Sequence, residues 1–305
     1  KSGNKSFELN PNLKILINNS GKVYSYSKNK TNIINRYNFD YNLQTISKLR
    51  LAKNKNFFLF DYDIDYHKNG FIFFDSKGSI LNFDKSSEIL WKKNYYTKKE
   101  KKLLPYLFIS NNEKFLVAAD DLAKLYLINL QNGNLVWSKN NSSPFNSDIK
   151  FYKDRFFVVD SENILRCYSI KSGEEIWNLK TEKLIIRSKK SLSIAIYKNL
   201  VFFNNTLGDI SAVDVETGQL KWQISTQTSE IYSNSHSFEM SDLVIQNEKI
   251  YTSSNRGEFY SISTNDGVIN WKQSISSKLT PIILENYILT ITTDGYFSVI
   301  EKASG

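Results

Sequence analysis

The amino-acid sequence predicts an all-β fold made of repeated four-stranded units, and three observations carry that prediction. Blocks of similar pattern recur at intervals of 38 to 49 residues over most of the chain. Each block alternates strand-forming residues with turn residues, and five blocks end in a glycine, which in four of them precedes a tryptophan by four residues. Aromatic residues make up 14% of the chain and only 4 prolines occur, a composition that favours strands over disorder. Repeats of this length and pattern are typical of the blades of a β-propeller.

The repeated blocks place the blades along the chain. Five blocks of equal length align without gaps, and residues 200–218 (LVFFNNTLGDISAVDVETG) show the pattern most clearly. A slightly shorter block and a weaker block precede them. The seven blocks start near residues 13, 70, 115, 155, 200, 249 and 287. We therefore expect residues 1–305 to form a single β-propeller domain with about seven visible blades.

Two turns divide each block. The first turn requires a residue that tolerates a positive φ, and glycine and asparagine do so most readily. The residues at this position are Gly21, Gly78, Ala123, Asn163, Gly208, Gly257 and Gly295. The second turn ends in a glycine in five blocks, which are those with Gly133, Gly173, Gly218, Gly267 and Gly305.

A tryptophan recurs at the start of what would be the outermost strand of each blade. The five tryptophans are Trp91, Trp137, Trp177, Trp222 and Trp271. A large aromatic side chain at this position can wedge between neighbouring blades and bury a large area. Stacking against a ligand is the alternative role, but the regular recurrence favours blade packing.

The number of blades and the closure of the ring stay open. The last block stops at Gly305, where its tryptophan-bearing strand would begin. One interpretation is that residues 4–9 supply that strand and close a seven-bladed ring, which would remove exposed sheet edges. The interpretation we favour is that the chain is a fragment of an eight-bladed propeller.

The net charge of +9 is carried mainly by lysine and is spread around the repeats. The most basic run is residues 92–102 (KKNYYTKKEKK), which lies between two blocks. Its lysines and tyrosines alternate in a way that supports backbone contact and base stacking, but no nucleic-acid-binding motif is present. A solvated loop is the simpler interpretation, and contact with an anionic membrane surface is the alternative.

The sequence offers no catalytic constellation, no metal site and no cofactor motif. Cys167 is the only cysteine, so neither a disulfide framework nor a Cys-x-x-Cys-His haem motif is possible within the chain. His67 and His236 are the only histidines and lack the spacing of metal ligands. Residues 61–65 (DYDID) alternate carboxylates that could ligate a hard cation, although a solvated segment is the simpler interpretation.

The turn-and-tryptophan unit, clearest in residues 214–222 (DVETGQLKW), resembles the PQQ-like propeller repeat. Within that superfamily, residues 70–305 are similar to the BamB-like lipoproteins of the bacterial outer-membrane β-barrel assembly machinery. The resemblance implies an eight-bladed propeller that acts as a scaffold rather than an enzyme. This chain lacks the adjacent cysteines that related PQQ-dependent dehydrogenases carry.

The resemblance also implies a partner-binding site. The family has a Leu-x-Leu-Arg pattern between blades, which docks the large subunit of the machinery, and residues 184–187 (LIIR) match it. The implied contact residues are Leu184, Ile186 and Arg187. An acidic pair in the next inter-blade segment corresponds to Glu239 and Asp242, although the Asp-x-Asp spacing and following proline of the family are absent here.

From the resemblance we expect a BamA-like barrel-assembly subunit as partner, together with nascent outer-membrane proteins. We also expect a periplasmic location at the outer membrane, with attachment through an N-terminal lipid that is not part of this chain. A PQQ-dependent quinoprotein and a generic propeller sensor or ligand-binding module are the alternatives.

Overall fold

The computed structural model describes residues 64–182, 190–226 and 238–305. Within these ranges the strands form six antiparallel sheets, five of four strands and one of three. The first two sheets contain β1 (Asp65–His67), β2 (Gly70–Phe74), β3 (Ile80–Asp84), β4 (Ile89–Lys93), and β5 (Leu107–Asn111), β6 (Phe115–Asp120), β7 (Lys124–Asn129), β8 (Leu135–Asn140). The next two contain β9 (Lys150–Tyr152), β10 (Arg155–Val159), β11 (Ile164–Ser169), β12 (Glu175–Lys180), and β13 (Ile194–Tyr197), β14 (Leu200–Asn204), β15 (Asp209–Asp214), β16 (Leu220–Ser225). The last two contain β17 (Val244–Gln246), β18 (Lys249–Ser253), β19 (Phe259–Ser263), β20 (Ile269–Gln273), and β21 (Ile282–Ile283), β22 (Tyr287–Ile291), β23 (Phe297–Glu301).

The sheets are arranged as the blades of a propeller. In each sheet the strands pair in chain order, so each is an up-and-down meander. First strands of neighbouring sheets contact each other, as β9 and β17 each contact β13, whereas the fourth strands carry mostly exposed side chains. The first strands therefore lie around a common axis and the fourth strands form the rim. This architecture confirms the predicted all-β propeller class.

The predicted blocks correspond to the middle of each sheet. Each of the six blocks from Gly70 onward supplies the second and third strands of one sheet and the turn between them. At the predicted position of that turn φ is positive in all six sheets, including Ala123 at 66° and Asn163 at 57°. The prediction for these turns is confirmed. The block near residue 13, and residues 4–9 proposed to close the ring, lie outside the described residues.

A side-chain acceptor stabilises these turns. Asp160 Oδ1 accepts hydrogen bonds from the backbone N–H groups of Glu162 at 2.9 Å and Ile164 at 3.1 Å. In the next sheet Asn205 Oδ1 accepts hydrogen bonds from the backbone N–H groups of Leu207 at 3.0 Å and Asp209 at 2.9 Å. Such a carboxylate or amide satisfies turn amides that no strand partner reaches.

The apolar core lies between the faces of adjacent sheets. Phe157 and Val159 of the third sheet pack with Ile194 and Phe203 of the fourth, and all four side chains are fully buried. Because neighbouring sheets cover both faces of each middle strand, these strands are continuous apolar runs rather than alternating ones, as residues 156–159 (FFVV) show.

The tryptophans join each sheet to the next one. The Nε1 of each donates a hydrogen bond of 2.9 to 3.1 Å to a backbone carbonyl three residues before the second-turn glycine of the following sheet. The indole rings lie against those glycines, whose φ values are 69° to 79°. The tryptophan–glycine pairs are Trp91–Gly133, Trp137–Gly173, Trp177–Gly218, Trp222–Gly267 and Trp271–Gly305. All five indoles are therefore engaged in contacts between sheets.

Candidate partner-binding site

The predicted partner-binding residues belong to segments that join the fourth strand of one sheet to the first strand of the next. In an up-and-down meander these segments leave from the same end of the sheet as the turns between second and third strands. We call this end of the propeller the connection end; its described residues are 94–106, 141–149, 181–182, 190–193, 226, 238–243 and 274–281. Residues 183–189, which include Leu184, Ile186 and Arg187, lie outside the described residues.

Glu239 lies in the segment that enters the fifth sheet. Its backbone N–H donates to Asn255 Oδ1 at 3.1 Å, and its carbonyl accepts from the N–H of Asn255 at 2.9 Å. Its Oε2 lies 3.5 Å from Lys278 Nζ, which belongs to the segment entering the sixth sheet. The side chain of Glu239 is 12% exposed, so its carboxylate is mostly covered.

Asp242 links three sheets. Its Oδ1 lies 3.2 Å from Nζ of Lys190, in the segment that enters the fourth sheet. Its Oδ2 accepts a hydrogen bond of 2.5 Å from the hydroxyl of Thr280, in the segment that enters the sixth sheet. Lys190 Nζ also donates to the carbonyl of Lys278 at 2.9 Å. The five residues Lys190, Glu239, Asp242, Lys278 and Thr280 therefore form one polar cluster, which we call the three-sheet cluster.

Serine hydroxyls fix the backbone beneath the three-sheet cluster. The hydroxyl of Ser193 accepts from the N–H of Leu243 at 3.0 Å, which joins the fourth sheet to the fifth. The hydroxyl of Ser253 accepts from the N–H of Ser277 at 3.1 Å, which joins the fifth sheet to the sixth. All four residues are buried. The connecting segments are thus set by hydrogen bonds between sheets and not by local structure alone.

Charge in the three-sheet cluster is balanced, because two carboxylates face two lysines. Glu239 and Asp242 are 12% and 20% exposed, and each already has a cationic neighbour within the chain. An incoming cationic group would therefore compete with Lys278 and Lys190 for these carboxylates. The arrangement suits positioning of the connecting segments better than capture of a partner's charge.

Lys190 links Asp242 to the segment that enters the fourth sheet. This residue is three positions after Arg187 and is paired with Asp242, which belongs to the acidic half. No sequence pattern indicated Lys190, Lys278 or Thr280, because their contacts join residues 38 to 88 positions apart that only the packing of sheets brings together. The spacing of the repeats was the one available signal, since it places all three in equivalent segments.

His67, Asp65 and Cys167 make structural contacts or are buried, whereas His236 lies outside the described residues. The ring of His67 hydrogen-bonds through Nε2 to Asn82 Oδ1 at 2.8 Å. Asp65 is buried and its Oδ2 accepts from Asn111 at 2.7 Å, whereas Asp61 and Asp63 lie outside the described residues. Burial raises the pKa of the Cys167 thiol to about 12, so this thiol stays protonated at neutral pH.

In residues 64–182, 190–226 and 238–305, no group of three or more histidine, cysteine, aspartate and glutamate side chains is placed to hold a metal ion. No helix in the same ranges has the length and apolar character needed to cross a membrane.

Comparisons with known proteins point to one family. The sequence profile described as outer membrane protein assembly factor BamB matches residues 76–305. The outer membrane protein assembly factor BamB of Yersinia pestis is 22% identical over 109 residues, a match that covers 34% of this chain and 28% of that protein. The crystal structure of BamB from Moraxella catarrhalis has a TM-score of 0.67 at 17% identity, covering 80% of this chain and 73% of that chain. The structural likeness shows a shared propeller fold.

Proposed function

The chain belongs to the family of outer membrane protein assembly factor BamB, and on that basis we propose that it is a non-catalytic scaffold of the outer-membrane β-barrel assembly machinery. In this proposal residues 1–305 act as one propeller domain at the periplasmic face of the outer membrane, held there by an N-terminal lipid. The propeller binds the large barrel-assembly subunit and assists the folding and insertion of nascent outer-membrane proteins.

The family match carries the proposal. The observation that supports residues 184–187 as its binding segment is the ion pair between Lys190 and Asp242. It holds the end of the segment that contains Leu184, Ile186 and Arg187 against the next sheet at 3.2 Å. A binding segment fixed at its base loses less conformational entropy on association than a free one, which strengthens binding. Arginine is enriched at interface hot spots, and the two aliphatic side chains would add apolar contact area beside it.

In this proposal Glu239 and Asp242 contribute indirectly. Their carboxylates neutralise Lys278 and Lys190 and thereby position the connecting segments, and the residues that contact the partner are Leu184, Ile186 and Arg187. The support is the low exposure of both carboxylates together with their existing ion pairs. This assignment predicts a larger loss of binding from substitutions at 184–187 than from Asp242→Asn.

A pull-down with the purified large subunit of the machinery tests the site. The double variant Ile186→Ala/Arg187→Ala should lose at least about tenfold in affinity, because each truncation at an interface hot spot commonly costs 1 kcal/mol or more. The Asp242→Asn variant should bind the large subunit with an affinity about two- to fivefold lower than that of the parent chain. The matched control is Ile176→Ala/Lys171→Ala, which removes an exposed isoleucine and an exposed lysine from the third sheet.

The controls decide between the outcomes. All variants should show the circular dichroism spectrum and melting midpoint of the parent chain to within a few degrees. Unchanged affinity of a folded Ile186→Ala/Arg187→Ala variant would remove segment 184–187 from the interface. If the parent chain fails to bind the large subunit at all, the scaffold proposal itself is wrong.

A further inference from the structure

The most basic part of the connection end is the segment from Lys92 to Lys102, which leads from β4 into β5. It holds six lysines and one glutamate in eleven residues. A short 3-10 helix over Glu100–Leu103 shapes its second half. This segment, which we call the lysine connection, has no role in the proposed contacts of residues 184–187.

The lysine connection presents its charges to solvent. Lys98, Lys99 and Lys102 are exposed, and Lys101 is half-buried. Next to them Leu103 is 64% exposed, one of the most exposed large apolar side chains among the described residues. Cations next to an exposed leucine form an amphipathic surface of the kind that meets the headgroup region of a membrane.

The segment is held in place by the side chains between the lysines. Tyr95 Oη donates to the carbonyl of Gly133 at 2.6 Å, and Tyr96 Oη donates to Asp120 Oδ2 at 2.5 Å. Both of these acceptors belong to the second sheet. Asn94 donates to the carbonyl of Lys77 in the first sheet at 3.0 Å. The lysine connection is therefore anchored to two sheets and does not need to be ordered by a ligand.

The same anchoring removes the aromatic surface that base stacking requires. The ring of Tyr96 is buried and meets the ring of Tyr126 edge-on at 5.8 Å. The ring of Tyr95 is half-buried and lies 5.6 Å from Tyr126. Proteins that bind single strands without sequence preference stack bases on exposed aromatic rings. What remains exposed is a set of lysines and a leucine, which favours a lipid surface over nucleic acid.

Nearby acids leave most of this positive charge in place. Glu100 accepts from the backbone of Thr97 and pairs with Lys124 at 2.5 Å, so its charge is compensated from outside the run. Lys92 lies 3.4 Å from Asp75. Asp121 is an exposed acid on the second sheet, and its Oδ1 accepts from the N–H of Tyr106 at 2.9 Å. None of the described ion pairs involves Lys98, Lys99, Lys101 or Lys102.

We propose that the lysine connection and Leu103 form a contact site for an anionic lipid surface. The four lysines would attract headgroup phosphates, and Leu103 would enter the interface between them. The site lies at the connection end on the first two sheets, whereas Lys190, which follows the proposed partner-binding segment in the chain, precedes the first strand of the fourth sheet. A chain docked through residues 184–187 could therefore rest on the membrane through a separate part of the same end.

Vesicle co-sedimentation of the chain, without other subunits, tests the site. Vesicles of 30% phosphatidylglycerol in phosphatidylcholine are compared with pure phosphatidylcholine, at about 50 mM and 300 mM salt. Each lysine near an anionic surface contributes roughly a fivefold gain in partitioning, an effect that screening reduces. The chain should bind the anionic vesicles at least about tenfold more tightly than the neutral ones, and the preference should shrink at the higher salt.

Two fourfold variants of equal net charge separate a local site from general attraction. Lys98→Gln/Lys99→Gln/Lys101→Gln/Lys102→Gln should reduce binding at least about tenfold. The control is Lys68→Gln/Lys85→Gln/Lys114→Gln/Lys171→Gln, four exposed lysines in turns at the opposite end, and it should reduce binding less than about threefold. Equal losses in the two variants, or no preference of the parent chain for anionic vesicles, would overturn the proposal.

Two further measurements test the contribution of Leu103 and the binding of nucleic acid to the same surface. Leu103→Ser should weaken binding about three- to tenfold with the same loss at both salt concentrations, because the lost contact is apolar. Unchanged binding would overturn the assigned role of Leu103. A single-stranded oligonucleotide that binds more tightly than the anionic vesicles, and is released by the first fourfold variant, would assign the surface to nucleic acid instead.

Discussion

The indole of Trp137 lies against Gly173 of the next sheet. A Cβ atom added to Gly173 would be 2.9 Å from the indole ring, and Trp137 Nε1 donates to the carbonyl of Ile170 at 2.9 Å. The glycine therefore serves two purposes, since it adopts a φ of 69° and also leaves room for the indole. The repeated glycine and tryptophan are a matched pair across the boundary between two sheets.

Gly173→Ala should be destabilising because alanine disfavours the positive φ and because its Cβ would clash with the indole. Gly295 has a positive φ without such a neighbour, so its substitution measures the first effect alone. Gly295 has a φ of 86°, and an added Cβ would meet nothing within 4 Å. We expect Gly295→Ala to lower the free energy of unfolding by about 1–2 kcal/mol, the usual cost of a left-handed residue. Gly173→Ala should lower it by about 2–4 kcal/mol, because the indole must also move. Urea unfolding of both variants measures the difference, and equal losses would contradict the steric role of the glycine.

At Ala123 the reverse substitution, alanine to glycine, can be made at a position with a positive φ. Ala123 has a φ of 66° at a turn where four of the other five described sheets carry glycine. We expect Ala123→Gly to raise the free energy of unfolding by about 0.5–1 kcal/mol, because relief of the left-handed strain exceeds the added freedom of the unfolded chain. Thermal and urea unfolding check this. The control is Ala118→Gly in the middle of β6, which should be destabilising; a loss of stability in Ala123→Gly would show that its turn is unstrained.

Asp120 should make stability depend on pH. Burial raises the pKa of its carboxyl above the ordinary value, although hydrogen bonds from Tyr96 and from backbone N–H groups oppose the shift. A carboxyl with a raised pKa in the folded state binds its proton more tightly there than in the unfolded chain. Protonation of Asp120 therefore stabilises the folded state. This contribution is fully present below the unfolded pKa of about 3.9 and is lost as the pH rises through the folded pKa.

Asp120→Asn tests that dependence with little change in shape. The asparagine Oδ1 can keep the bonds from the N–H groups of Leu122 and Lys124, now 3.0 and 2.7 Å long, while its Nδ2 faces Tyr96. The gain in stability of the variant over the parent chain should grow between pH 4 and pH 7, as measured by urea unfolding at several pH values. Asp154→Asn, at a side chain that is 76% exposed, is the control. A difference between variant and parent that is the same at every pH would contradict the argument.

The Lys190–Asp242 pair should contribute modestly to stability. Its side chains are 21% and 20% exposed and lie 3.2 Å apart. A double-mutant cycle with Lys190→Gln and Asp242→Asn should give a coupling energy of about 0.5–1 kcal/mol, which separates the pair from the bond between Asp242 and Thr280. Exposed Lys153 and Glu216, 3.3 Å apart, provide a control pair whose coupling should be smaller. A coupling of zero at Lys190–Asp242 would mean that this ion pair does not stabilise the fold and that the other bonds between the sheets hold the connecting segments.

The sequence predicted the sheets better than it predicted the candidate site. Strand positions, the positive φ at Ala123 and Asn163, and the place of each tryptophan follow from patterns within about 20 residues, and such local patterns can be recognised directly. The three-sheet cluster has no such pattern. Asp242 was identified only through a family resemblance, and Lys190 was missed although it lies 3.2 Å from that carboxylate.

By itself, the sequence determined that this protein is a propeller of repeated blades, because turn geometry and strand alternation act between near neighbours. It also determined which glycines and tryptophans recur together. Only the tertiary structure decided that each tryptophan meets the glycine of the following sheet and that Lys190, Asp242 and Thr280 come together. The physical reason is that these contacts form between sheets whose residues lie some 30 to 90 positions apart, so the packing of neighbouring sheets, and not the local chain, sets which side chains are neighbours.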